Sequence, residues 1–360
     1  MSTIVSIATT VPAFSATQDE VKAAFGPLFQ LDGRRLDAAM ALFDNAEVQR
    51  RWSVMPLAEI ARPRSLTETM RVYARHACEL AHRVATTCLR RAGVAASDVD
   101  LIITVSCTGV MIPSMDASLI DTLGLRRDVR RLPITELGCV GGAAAVARAD
   151  DHLRGAPDAH VLVICVELPS LSLQAGDVSA DNLVSSAIFG DGAAAVLLAG
   201  DRAAARRHDN DDAGPRIRIV ETLSHTIAAS THALGFDLHD NGFHPVLSKE
   251  VPALLRAEIA GLVDKLSTET GVARDDLRAH VLHPGGKKVL GAVEDALGLH
   301  REHTQPSWDV LREYGNQSSA SVLFVLERWQ ADRPPPRGTM GVMAAFGPGL
   351  TAQLLMLRWE

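Results

Sequence analysis

Cys139 stands between glycines in LGCVGG, where a run of small residues, AAAVARADDHL, opens what reads as a helix. His283 lies in HPGG, and Asn316 follows Gly315 in EYGNQSSASVLFVL. A thiol, an imidazole and a carboxamide, each at a turn, form a set suited to acyl transfer. A free thiol titrates near 8.5 and is mostly protonated at neutral pH. A helix N-terminus and a neighbouring imidazolium both stabilise its anion. Such a thiolate attacks an acyl thioester and holds the acyl group. Imidazole and carboxamide then donate hydrogen bonds to a developing enolate or oxyanion, and one such donor is worth about 100- to 1000-fold in rate. Each residue also has an ordinary structural role: a small core cysteine, a structural histidine, a helix-capping asparagine.

These residues need elements that bring them together. Apolar runs recur as VDLIITVSCTG, AHVLVICVEL, AAAVLLAG, IRIVETL, LRAHVLH and GVMAAFG, with alanine- and leucine-rich helical stretches between them. Continuous apolar strands alternating with helices predict an α/β fold whose sheets are covered on both faces. Three features then recur in the same order. A strand leads into a helix ending Leu-Gly-Leu (DASLIDTLGL, KKVLGAVEDALGL). A glycine turn leads into a helix of small residues (LGCVGGAAAV, YGNQSSASVL). A Phe-Gly-x-Gly turn leads into an apolar strand (AIFGDGAAAV, AAFGPGLTAQ). An internal duplication follows, with halves at 1–205 and 216–360 and the polar stretch Gly200–Arg218 as the joint. Cys139 and Asn316 then occupy equivalent helix starts. A pseudo-two-fold axis brings them together, with His283 at the end of a second-half strand.

Composition narrows the classes. The chain has 360 residues, 47% of them hydrophobic but only 4% aromatic, so its core must be aliphatic and closely packed. A net charge of −7 disfavours nucleic acid as a partner. The cysteines 78, 88, 107, 139 and 165 form no CxxC pair, which points to neither a zinc site nor a disulfide framework and to a reducing cytoplasm. MSTIVSIATTVPAF reads as a first strand rather than a signal peptide, and no apolar run reaches membrane-spanning length.

Taken in order and at these separations, LGCVGG, AIFGDGAAAV, HPGG, EYGNQSSASVLFVL and AAFGPGLT resemble the type III polyketide synthases, the chalcone synthase-like enzymes. The resemblance implies a thiolase-like fold of two pseudo-symmetric halves in αβαβα layers. It implies Cys139 as the nucleophile loaded from an acyl-CoA. His283 and Asn316 would drive decarboxylation of malonyl-CoA, followed by iterative extension and cyclisation. Coenzyme A thioesters are then substrates, and no metal or other cofactor is needed. Phe189 matches a gatekeeper phenylalanine and Phe243 a second one. The Gly285–Gly286 loop is expected to touch the CoA arm through its amides, and Arg50, Arg51, Lys287 and Lys288 are candidates for its phosphates. A homodimer is implied, with Ile112 of GVMIP reaching into the partner's cavity. Cys107 and Ser172 are expected to line the cavity, and Ala345 to replace a cavity-wall glycine.

The lining positions Val110, Ile112, Leu171 and Leu173 are aliphatic, which favours a fatty acyl starter giving a pyrone or alkylresorcinol. Malonyl-CoA alone, giving tetrahydroxynaphthalene, is the competing reading within the family. A ketoacyl synthase III with an acyl carrier protein partner would usually carry His-Gln-Ala-Asn where this chain has HPGG. A papain-like protease shares the order Cys, His, Asn but has no place for the duplication. A non-catalytic scaffold would be free to lose one of the three residues, and all three are present.

Overall fold

The computed structural model describes residues 1–206 and 216–360. In chain order its strands are β1 (Ser2–Thr10), β2 (Phe14–Thr17), β3 (Arg50–Ser53), β4 (Leu101–Val105), β5 (Arg130–Ile134), β6 (His160–Glu167), β7 (Gly192–Gly200), β8 (Ile217–Thr226), β9 (Leu234–His239), β10 (Gly242–Leu247), β11 (Ala279–Leu282), β12 (Met340–Gly347) and β13 (Thr351–Trp359). The helices are α1 (Gln18–Phe29), α2 (Gly33–Asp44), α3 (Leu57–Ile60), α4 (Leu66–Ala92), α5 (Met115–Leu123), α6 (Gly141–Gly155), α7 (Ala180–Ile188), α8 (Asp201–Ala205), α9 (Val251–Thr270), α10 (Lys287–Leu297), α11 (Gln305–Tyr314) and α12 (Ser321–Ala331). Of the expected joint at Gly200–Arg218, positions 207–215 lie outside the described residues.

Nine strands form one sheet in the order β11-β12-β13-β8-β1-β7-β6-β4-β5. The pairing sense repeats across its middle. β1/β7 and β7/β6 are antiparallel and β6/β4 parallel; β8/β13 and β13/β12 are antiparallel and β12/β11 parallel. The two wings meet where β1 pairs with β8, from Ser2 opposite Ile219 to Ile4 opposite Ile217. The sense of pairing therefore carries the duplication that the sequence motifs announce.

Strand alternation builds the layers. One set of residues, including Ile103, Val163, Val196, Val281, Met343 and Leu355, faces a central layer filled by α6 and α12. On the first wing the alternate set, including Ile102, Ile164 and Leu197, packs under α4 and α5. On the second, Leu282, Val342 and Leu354 pack with α9 and α10. The result is αβαβα. Helix α4 is fixed at both ends. Ser65 and Glu68 form a capping box at its start, and Gly93, at φ 61°, closes it in the left-handed region that glycine tolerates.

The central helix starts approach closely because their residues are small. A β-carbon on Gly142 would lie 2.1 Å from the Ser319 carbonyl oxygen. Only hydrogen fits there, so the glycine sets the distance between the two halves at the place where Cys139 and Asn316 emerge. No helix among the described residues is long and apolar enough to cross a membrane.

Candidate active site

Cys139 sits in a single 3-10 turn, Gly138–Val140, that runs directly into α6. Gly138 takes φ 54°. Its missing side chain admits Pro348, since a β-carbon would lie 2.4 Å from the proline Cδ. The Gly-Pro-Gly loop of the second half thus presses on the cysteine loop of the first. Asn316 is held from the other side. Its N–H donates to the Ile188 carbonyl (2.7 Å) and its carbonyl accepts from the Gly190 N–H (3.0 Å), so the Phe189 loop and the Asn316 loop are joined by backbone. Gly315, at φ 72°, makes that approach possible; a β-carbon there would meet the Ile188 carbonyl oxygen at 2.5 Å.

Cys139, His283 and Asn316 line one cavity of about 760 Å³, its mouth included. Asn316 Nδ2 lies 4.0 Å from Cys139 Sγ and 3.4 Å from the Gly285 carbonyl oxygen. The Asn316 carboxamide is oriented at its other end, where Oδ1 accepts from the Ser318 N–H (2.8 Å) and Ser321 Oγ (3.3 Å). That leaves Nδ2 facing the thiol. The thiol also reaches Ser318 Oγ at 3.5 Å. His283 is almost wholly buried, and both of its ring nitrogens lack a hydrogen-bond partner among the described residues. Burial pushes the Cys139 thiol up to about 11 and the imidazole down to about 3. Burial therefore disfavours a lone charge on either group. Burial opposes the imidazolium expected from the sequence, because desolvation disfavours its charged form.

Several expected positions move. Phe189 borders the cavity, and Phe243 does not. The β9–β10 hairpin pairs Phe236 with Pro245 and Leu238 with Phe243, which sets Phe243 two residues nearer the tip. Phe236 and Pro245 form the wall instead, and the Phe243 ring packs edge-on against Phe236 at 6.1 Å. Ile112 is 94% exposed and Val110 lies on the surface as well, so neither lines the cavity of its own chain. Leu171 belongs to the layer under α4, and Ala345 to the central layer. Ser172 and Leu173 line a second chamber that shares a wall with the first. Gly285 borders the cavity, but its N–H donates to the His283 carbonyl (2.9 Å) within a tight turn and is not free for a CoA arm. Gly286 caps α10 at φ 141°. Arg51 is buried and bonded to the carbonyls of Ser186, Ala187 and Phe189 and to Gln18, which removes it from any phosphate. Lys287 pairs with Glu47 at 3.1 Å, whereas Arg50 and Lys288 are exposed.

Cys107 stands behind the wall, within a buried polar cluster that sequence reasoning missed. Its Sγ lies 3.2 Å from Ser318 Oγ and 3.5 Å from Glu167 Oε1. Glu167 also accepts from Thr108 Oγ1 (2.7 Å), Ser319 Oγ (2.5 Å) and the Cys107 N–H (3.1 Å). Burial raises its carboxyl above the ordinary range, while these donors oppose the rise. The signal was present: Glu167 is the one charged residue ending the apolar run HVLVICVE, and a charge at the end of a buried strand needs partners.

The family models for the chalcone and stilbene synthases match residues 2–202 (N-terminal domain) and 218–359 (C-terminal domain). The chain belongs to this family. It is 36% identical over 358 residues to a 1,3,6,8-tetrahydroxynaphthalene synthase of Streptomyces peucetius subsp. caesius, covering 99% of this chain and 93% of that one. It is 36% identical over 331 residues to a phloroglucinol synthase of Pseudomonas fluorescens, covering 91% of each. Its fold is similar to the crystal structure of 1,3,6,8-tetrahydroxynaphthalene synthase from Streptomyces coelicolor A3(2), a bacterial type III polyketide synthase, with TM-score 0.92, 31% identity and 99% of both chains covered. The protein is a type III polyketide synthase with a thiolase-like fold, an acyltransferase of a family that works on coenzyme A thioesters without a further cofactor.

Proposed function

We propose that this synthase condenses malonyl-CoA units iteratively on Cys139 and cyclises the chain to a phenol, with malonyl-CoA also supplying the starter. The observation that carries the reading is the convergence of Cys139, His283 and Asn316 on one cavity from two duplicated helix starts and a strand end. In loading, Sγ attacks the thioester carbonyl as His283 takes its proton. The carbon–sulfur bond to CoA breaks, and the CoA thiolate leaves with that proton. A malonyl-CoA then enters. Its carboxylate leaves as carbon dioxide, and the bonding pair moves into the thioester as an enolate. The Asn316 amide and the His283 ring donate to the enolate oxygen. The enolate carbon attacks the Cys139 thioester, a carbon–carbon bond forms and the bond to Sγ breaks; the lengthened chain, now a CoA thioester, is passed back to Sγ with release of CoA for the next round.

The preference for a fatty acyl starter rested on Val110, Ile112, Leu171 and Leu173, and three of these four do not line either chamber. The relatives named above make phenols whose names carry no alkyl chain, which supports the malonyl starter. Exposed Ile112 and Val110, with the exposed edge strand β5, support the homodimer. The free thiol required of Cys139 fits a reducing, cytoplasmic setting. The halves 1–205 and 216–360 each supply part of the site.

The test is a product assay: purified protein with malonyl-CoA alone, and with malonyl-CoA plus acyl-CoAs from acetyl to long-chain, read by mass spectrometry with Cys139→Ala as control. Polyketides from malonyl-CoA alone, absent in the variant, are expected. Products only with a fatty acyl-CoA present would return the reading to an alkyl starter. No product from any starter would refute the synthase reading of this site.

A further inference from the structure

Strand β11 forms one edge of the large sheet. Its alternation decides which side chains meet there. Ala279 and Val281 face the central layer, so His280 and Leu282 face the outer one. His280 is therefore a polar ring set in the apolar run AHVL, and it is only 5% exposed. It lines a cavity of about 890 Å³, its mouth included, that shares no residue with the Cys139 cavity. Part of the wall is apolar, with Val263 of α9, Leu277, Leu297 of α10 and Leu299. Around His280 the wall is cationic. Arg278 donates to the carbonyls of Asp275 and Leu277 and has no carboxylate partner among the described residues. Arg274, by contrast, pairs with Asp264 at 3.1 Å. The His303 ring stands edge-on to His280, with 6.4 Å between centroids. Its Nδ1 accepts the His300 N–H (3.0 Å), which leaves Nε2 as the donor of the neutral ring. His280 Nδ1 is buried with no partner among the described residues. Burial lowers His280 to about 4, and the charged groups that add to the shift are His303 and Arg278, with no carboxylate among them. Asp275 also lines the cavity, but from the exposed turn Arg274–Asp276.

Cationic groups gathered without a counter-charge repel one another, and an anion among them relieves that repulsion. A polar ring buried without a partner is costly as well. A bare inorganic anion would satisfy the donors and leave the leucine wall unfilled. An alkane would do the reverse. A molecule with an acidic head and a short apolar body satisfies both. We propose that this cavity binds a small organic acid, its carboxylate held by Arg278, His280 and His303 and its body packed against Leu277, Leu297 and Leu299. The guanidinium N–H groups that Arg278 does not spend on backbone carbonyls make the charge-assisted bonds to the head. The site lies on the outer layer of the second half, apart from Cys139, and its occupation does not depend on what the synthase makes.

The experiment is isothermal titration calorimetry of the full chain with sodium hexanoate as the probe, and with inorganic phosphate and hexylamine in parallel. Arg278→Gln removes the charge from an exposed side chain. His303→Gln carries the same criterion should Arg278→Gln fail to fold by circular dichroism. Hexanoate is expected to bind wild type more tightly than either comparison probe, and its Kd to rise about fivefold or more in the variant, which loses a charge-assisted bond. A smaller rise overturns the proposal, because hexanoate lodged in the Cys139 cavity would be indifferent to a substitution at this one. Phosphate binding as tightly as hexanoate overturns it by removing the apolar body. Hexylamine binding as tightly overturns it by giving the cavity to a cation at Asp275. No binding of hexanoate at about 20 mM overturns it outright. None of these readouts requires turnover, so the polyketide reading and this proposal fail separately.

Discussion

The dependence of Cys139 on His283 can be tested without any product. Burial pushes the thiol up to about 11. A thiol at that value is ionised in about one molecule in ten thousand at pH 7, against about three in a hundred for an ordinary thiol near 8.5. Among the described residues of the cavity lining, His283 is the titratable group other than Cys139, and replacing it by Gln leaves a side chain of similar reach. No hydrogen bond to the ring is lost among the described residues, because neither nitrogen makes one there. The fold should therefore survive. The assay is iodoacetamide alkylation followed by peptide mass spectrometry, which separates Cys139 from Cys78, Cys88, Cys107 and Cys165. In His283→Gln the Cys139 rate is expected to rise about tenfold per pH unit from 7 to 10, as for a lone thiol of high pKa. Wild type, able to pass the proton to imidazole, is expected to react at least tenfold faster at pH 7. Profiles that superimpose would refute the pairing of thiol and imidazole.

Asn316→Ala removes the amide facing Sγ and the acceptor for the buried Ser318 N–H. Malonyl-CoA decarboxylation is expected to fall about 100- to 1000-fold, and chemical denaturation to show a loss of about 1–3 kcal/mol; a decarboxylation rate within threefold of wild type would remove Asn316 from the enolate site. His283 also predicts a pH effect on stability. Its folded value, about 3, lies below the ordinary 6.5, so its contribution is fully present above pH 6.5 and is lost as pH falls toward 3. Relative to His283→Gln, wild type is expected to lose up to about 5 kcal/mol across that window, by denaturant melts at successive pH values; parallel curves would mean the ring is solvated. Ile112→Lys places a charge on a side chain that is 94% exposed in one chain. Sedimentation is expected to show wild-type dimer and variant monomer at micromolar concentration, and an undisturbed dimer would place the interface elsewhere.

The sequence by itself determined the layout and singled out the residues proposed to react. Strand and helix periods are local, so the α/β alternation could be read from short windows. The repeated motifs tied those windows into two halves, and symmetry alone then brought Cys139 and Asn316 to one place. The glycine turns before the two small-residue helices were legible as turns, whereas the close approaches that Gly138, Gly142 and Gly315 permit between the halves emerge only on packing. What only the tertiary structure decided is which way long-range neighbours face. Phe236 rather than Phe243 forms the wall because of hairpin register, where two residues along a strand is about 7 Å. Arg51 is structural because α1 and α7 close over it, and Glu167 is solvated by hydroxyls and an amide from segments about 60 and 150 residues away in sequence. Nothing local in the chain encodes those partners. They exist only once the two halves have packed, and they set the charge, the depth and the occupant of the cavity that the reacting residues serve.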